Sequence, residues 1–294
     1  MTKGLKIKPI PVPVGNKHPP APHQVLPSHE FTMGLIAPKG SGKTTLMCNI
    51  LQFYKKYFHT IIIFSPTINN DDKWDFMKSQ ELLVENTQLK SWAKKLLERE
   101  KNKNEIVESR PASKGLLEAI AKPRKEPWTG RIPESCFYTE YNEADLVQIF
   151  DQQQALIDFL KEHKQPKFLA NRIMLLFDDM VGSSLFSGTR ANFFKKLNSN
   201  HRHWSTSIMM VSQGYKEIPK TPRCNWTCLI LFEIWNDTEL ECIYEENPMG
   251  MTRDQWMSAY KHATEDDYSF LFYNIQRPRA LRVMKNFDQV MYFK

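Results

Sequence analysis

At 294 residues, with 41% hydrophobic and 25% charged side chains, the chain is long enough for one large α/β domain or two small ones. No run approaches the roughly 20 apolar residues of a membrane span, and the start passes from lysines into prolines rather than into an apolar leader, so a soluble, intracellular protein without membrane insertion is expected. The net charge of +7 favours a polyanionic partner, and five cysteines without a paired Cys-x-x-Cys pattern read as reduced thiols and not as a metal site.

Residues 1–28 hold seven prolines among lysines and histidines. Too few apolar side chains are present to offset the entropy of ordering, so this is expected to be a basic, extended arm, either flexible or strapped over the domain. An apolar run then stops at Pro38, Lys39, Gly40, Ser41 and Gly42, and Lys43, Thr44 and Thr45 open a segment with helical spacing of Leu46, Ile50, Leu51 and Tyr54. Strand, glycine-rich turn and helix in that order form a phosphate-binding loop. Gly40 and Gly42 let the backbone N–H groups approach a polyphosphate, and the helix start adds its own N–H groups and positive dipole end. Lys43 is placed to reach the β- and γ-phosphates and the Thr44 hydroxyl to ligate Mg²⁺. Ala37 stands where the usual pattern has its first glycine.

Residues 59–66 read as a second strand, apolar on both faces and therefore covered by helices on both sides, which points to a parallel, doubly wound sheet. From 71 to about 131 the βα rhythm breaks. Between 90 and 131 there are twelve Lys or Arg against six Glu, and Pro111, Pro123 and Pro127 interrupt the pattern. The segment 76–134 is expected to be an insertion, helical in part and mobile over 101–125. Trp92, Trp128 and the basic excess leave open contact with nucleic-acid phosphates beside a plain solvated face.

An amphipathic helix is expected over 143–163, followed by a strand that ends in Asp178 and Asp179. Two acids at the carboxyl edge of a parallel sheet, downstream of a phosphate loop, have the form of a Walker B site, with Asp178 for the Mg²⁺ shell and Asp179 to polarise the attacking water. A helix over 183–198 and a strand over 205–213 come next, and Gln213 is the candidate for touching the γ-phosphate or its water. A strand over 226–234, a mixed helical region and an antiparallel pair over 268–275 and 280–284 close the chain.

Taken together, these motifs resemble the ATPases of the FtsK–HerA superfamily, and most closely the poxvirus-type packaging ATPases of large DNA viruses, virophages and Polinton-like elements. The matching residues are Phe31 and Met33 with the phosphate loop, Ile63 to Pro66, Leu175 to Asp179, Arg202 with His203, and Val211 to Gln213. The resemblance covers about 29–75 and 140 to the end. It implies a P-loop fold of the additional-strand catalytic type with a core of 29–75 and 135–294. It also implies ATP and Mg²⁺ as cofactors, a homo-oligomeric ring, double-stranded DNA as the translocated partner and a capsid protein as docking partner, with a location in host cytoplasm or at the assembly site. On the same grounds Lys43 and Thr44 bind phosphate and metal, Asp178 holds the metal, Asp179 is the base and Gln213 the sensor. A ring ATPase also needs an arginine supplied in trans; Arg202 is the first candidate, with Arg190 and Arg223 behind it. Competing readings are a GTPase, because Asp179 to Gly182 fit a short switch pattern, a small-molecule kinase, a nucleotide-binding scaffold, a HerA-like helicase and a conjugative pump.

Overall fold

The computed structural model describes residues 18–102, 111–123, 127–180, 182–183, 185–186 and 193–292. The chain runs β1 (Thr32–Ile36), α1 (Lys43–Phe53), β2 (Thr60–Phe64), α2 (Asp72–Ser79), α3 (Thr87–Asn102), α4 (Pro111–Ala121), β3 (Phe137–Tyr138), α5 (Glu143–Glu162) and β4 (Ile173–Asp178). It continues α6 (Phe193–Asn200), β5 (Thr206–Ser212), α7 (Lys220–Cys224), β6 (Cys228–Leu231), α8 (Asp237–Glu246), α9 (Arg253–Ala263), β7 (Leu271–Asn274), β8 (Val283–Lys285) and β9 (Gln289–Val290). The strands form one mixed sheet in the order β3-β2-β4-β5-β1-β6-β7-β8-β9. From β3 to β6 all neighbours are parallel, and β6 to β9 are antiparallel. The fold is therefore α/β with an additional strand, β5, between the phosphate-loop strand β1 and the Asp-Asp strand β4, as the motif reading implied.

The unbroken apolar strands are buried on both faces. Successive residues alternate between two cores: Ile62, Phe64, Leu175, Phe177, Ile208 and Met210 face one, with Phe150 and Leu160 of α5 and Trp256 of α9. Ile61, Ile63, Met174, Leu176 and Met209 face the other, with Ile50 and Leu51 of α1 and Trp74 of α2. Period-two side-chain alternation makes both faces apolar only when every position is apolar, which is what the sequence runs show.

Three details differ from the sequence expectations. The helix expected over 183–198 is confined to α6, because 182–183 and 185–186 are turns; residues 187–192 lie outside the described chain. The strand expected over 226–234 is only β6. Within 101–125, expected to be mobile, α4 is a regular helix whose Leu117 and Ala121 pack on Ala93 of α3 and Phe159 of α5. The Trp92 ring meets Phe159 and His163 edge-on, and Trp128 packs on the second core, so hydrophobic packing accounts for both tryptophans and base stacking does not. Part of the basic arm is a strap. Val25 and Leu26 are buried, and the hydroxyls of Tyr54 and Tyr57 donate to the carbonyls of Pro27 (2.5 Å) and Pro19 (2.8 Å). Residues 1–17 lie outside the described chain.

Candidate nucleotide site

The site forms at the carboxyl edge of the parallel strands. Leaving β1, the chain turns at Pro38, whose carbonyl accepts from the Ser41 N–H (3.3 Å) and hydroxyl (2.7 Å). Gly40 and Gly42 have φ of 85° and 86°, a left-handed backbone open to glycine at little cost, and Gly42 caps α1. No side chain caps this helix, and no acidic residue sits in its first turn. Its leading N–H groups and dipole end are thus left for an anion. Ala37 is fully buried in the second core, so the missing glycine alters the strand end and not the surface of the loop.

A cleft of 740 Å³ is lined by Lys39, Gly40, Gly42, Lys43, Thr44 and Thr45 and, from across the sheet edge, by Asp179 and Gln213. Pro38 and Ser41 turn instead to a neighbouring cleft. Register explains the convergence. Asp178 pairs with Val211 and the Asp179 N–H donates to the Val211 carbonyl (3.0 Å), so β4 and β5 end side by side. Asp179 has φ of 51°, and its carboxylate accepts from Gln213 Nε2 (2.6 Å) and Lys43 Nζ (3.3 Å). Three of the predicted residues meet on one oxygen.

Asp178 has a different environment. It is 2% exposed, its Oδ2 accepts from the Ser65 hydroxyl (2.8 Å), and its buried Oδ1 has no hydrogen-bond partner. Burial, only partly offset by Ser65 and the Lys43 charge, raises its pKa. A buried acceptor left unpaired is costly, and a hydrated cation is one way to satisfy it. Thr44 lines the cleft and Asp178 ends β4 beside Asp179, and both offer oxygen donors of the kind Mg²⁺ takes.

Several residues at the site were not singled out from sequence. Ser65 belongs to the Ile63 to Pro66 stretch that carries the resemblance but has no role of its own there; the pairing of Phe64 with Phe177 puts it next to Asp178. Asp71 and Lys73, at the start of α2, line the cleft. Glu217 brackets Gln213, because one carboxylate oxygen accepts from the Ser212 hydroxyl (2.6 Å) and the Gly214 N–H (2.9 Å). A carboxylate five residues after a strand end is a common pattern and carries no signal of its own. Among the arginines, Arg202 is exposed in the 3-10 turn before β5, at the opposite edge of the sheet. The length of β5, about 20 Å, separates it from Gln213 of the same chain. Arg223 is buried, ion-paired to Glu246 (3.1 Å) and stacked on Tyr215, which makes it a structural cation. Arg190 lies outside the described residues.

Residues 135–269 match the model of the Poxvirus A32 protein family. This stretch is similar to the poxvirus A32 family. It spans a little under half of the chain and contains Asp178, Asp179, Arg202 and Gln213, whereas the phosphate loop precedes it. No curated protein matches the chain in sequence. Similar solved structures include the genome packaging NTPase B204 from Sulfolobus turreted icosahedral virus 2 in complex with AMP, at 13% identity over 84% of this chain and 93% of that one, with a TM-score of 0.44. The cytoplasmic domain of the Thermomonospora curvata type VII secretion ATPase EccC is similar at 10% identity over 89% and 25%, with a TM-score of 0.46. The pCW3 conjugation coupling protein TcpA follows at 12% identity over 84% and 58%, with a TM-score of 0.40. Likenesses of this strength add nothing to the strand order itself.

Proposed function

We propose that this A32-type chain is an ATPase that translocates double-stranded DNA, packaging a viral genome into a capsid as a homo-oligomeric ring. The observation that carries the catalytic part is the meeting of Lys43 and Gln213 on Asp179 beside an uncapped helix start. Packaging is supported by the A32 family match, and a DNA partner by the net charge of +7.

The mechanism follows from the residues. Phosphates on the loop draw the Lys43 ammonium away from Asp179, because they are the denser negative charge. That exchange leaves the Asp179 oxygen to Gln213 alone and frees the carboxylate to take a proton from water, which the Gln213 amide orients. Asp178, held by Ser65, and Thr44 would hold Mg²⁺, which supplies neutralising charge to the phosphate oxygens. Arg202 cannot reach its own site, so in this reading it completes a neighbour's.

Steady-state hydrolysis of ATP and GTP, with and without long double-stranded DNA at low and moderate salt, tests the proposal. DNA stimulation that weakens with salt is expected. Turnover indifferent to DNA returns the chain to a kinase or scaffold, and a preference for GTP returns it to a switch.

A further inference from the structure

The neighbouring cleft, 320 Å³ in volume, lies between the outer side of the phosphate loop and the segments that follow β6 and precede β7. Two aromatic rings stand at it in solvent, Trp235 at 79% exposure and Tyr268 at 71%. Tyr268 has φ of 62°, a conformation that bulky side chains rarely adopt. The turn that imposes it is tied down. The Ser269 hydroxyl and N–H both donate to the Asp266 carbonyl (2.6 and 3.1 Å), and Lys285 Nζ binds Glu265 (2.9 Å) and Asp266 (2.5 Å). The Tyr268 ring is thereby held 3.1 Å from where a Cβ on Gly42 would stand, against the hinge of the loop. A strained, exposed ring fixed beside a ligand loop is a feature of binding sites.

The direction of a bound nucleotide follows from the strand order. Asp179 and Gln213 mark the γ-phosphate end on the β4 and β5 side of β1, whereas β6 and β7 lie on the other side. Carboxylates around the second cleft, Glu233 and Asp267 among them, repel phosphate but accept the amino N–H groups of a base. We propose that this cleft seats the purine base, with Tyr268 and Trp235 as its stacking faces and the carboxylates as acceptors for its exocyclic amino group. The inference rests on the nucleotide-binding reading of the phosphate loop.

The test is displacement of a fluorescent ATP analogue from the full chain by ATP, ITP and tripolyphosphate. Trp235→Ala, and Tyr268→Gly, which removes the ring without straining the backbone, should each weaken ATP by about tenfold and leave tripolyphosphate unchanged, with Trp235→Phe restoring most of the loss. ITP, which lacks the amino group, should bind more weakly than ATP. Unchanged ATP affinity in both variants, or an equal loss for tripolyphosphate, would overturn the base seat. ITP binding as tightly as ATP would overturn the role of the carboxylates. If neither ATP nor tripolyphosphate binds the unaltered chain, the phosphate-loop reading fails, and the base seat with it.

Discussion

The two edges of the same sheet treat polar side chains in opposite ways. At the amino edge, His29 is half-buried with its two ring nitrogens paired to the hydroxyls of Ser207 (2.8 Å) and Ser205 (3.1 Å), and Glu30 is held by Lys167 (2.6 Å) and His18 (3.4 Å). His18, His29 and Glu30 are close enough to share a metal ion, but with Lys167 on the carboxylate and both His29 nitrogens engaged, the trio is a hydrogen-bonded clasp for the strap. At the carboxyl edge, Asp178 keeps a buried oxygen unpaired, the start of α1 is uncapped, and Lys43 is parked on Asp179. The Nδ1 of His18 is unpaired at the amino edge as well, so what distinguishes the carboxyl edge is that its unpaired groups gather around the phosphate loop.

If that contrast is right, substitutions at the carboxyl edge should abolish chemistry with little loss of stability. Lys43→Ala should have the largest effect, lowering nucleotide affinity by at least about a hundredfold in equilibrium binding. Asp179→Asn should keep ATP binding and lose on the order of 10²- to 10⁴-fold in turnover; normal turnover would remove Asp179 from the base role. Arg202, at the amino edge, is the exception because in the ring it serves a neighbour's site: mixing Arg202→Ala with Lys43→Ala subunits should restore part of the activity, and inactivity at every ratio would count against Arg202. A smaller effect is expected from Glu217→Gln. By loosening the bracket around Gln213 it should lower kcat by roughly tenfold with KM little changed, and a fall in melting temperature alone would make Glu217 merely structural.

Amino-edge changes should do the reverse. His29→Ala should cost about 1–3 kcal/mol of stability in denaturant titrations, because Ser207 and Ser205 each lose a hydrogen-bond partner and keep only the Phe31 N–H and His18, while turnover per folded molecule stays unchanged. Acid should act on the same side of the molecule. His59 accepts the Arg172 N–H at Nδ1 (2.8 Å), and burial, helped by the Arg172 charge, pushes its pKa down to about 3. His29 is lowered in the same direction, chiefly by burial. The unfolded chain protonates these rings near the ordinary value of about 6.5 and the folded chain does not. Their contribution is therefore complete above that pH and is lost as the pH falls from there towards 3. Denaturation midpoints at pH 7.5 and 5.0 should show the loss, and His59→Gln should reduce it.

Legibility from sequence followed the range of the physics involved. The phosphate loop was readable because its chemistry is local: the turn needs glycines, the phosphates need a lysine, and all of them are neighbours in sequence. Asp178, Asp179 and Gln213 were readable because a strand end is a local event and parallel strands bring their ends to one edge. The roles of Ser65 and Tyr268 were not, since each matters through a partner in another segment, and that of Glu217 was not because its partners Ser212 and Gly214, though near in sequence, meet it only through the folded path of the loop. The same limit hid the role of Trp92, whose neighbours Phe159 and His163 come from α5.

The sequence by itself determined the apolar strands, the loop and the acids, because backbone conformation and side-chain type act over a few residues. Tertiary structure alone decided that Asp179 is shared by Lys43 and Gln213 and that Arg202 faces away from its own site. Those outcomes depend on register and strand order, which are set by how all the buried faces pack at once.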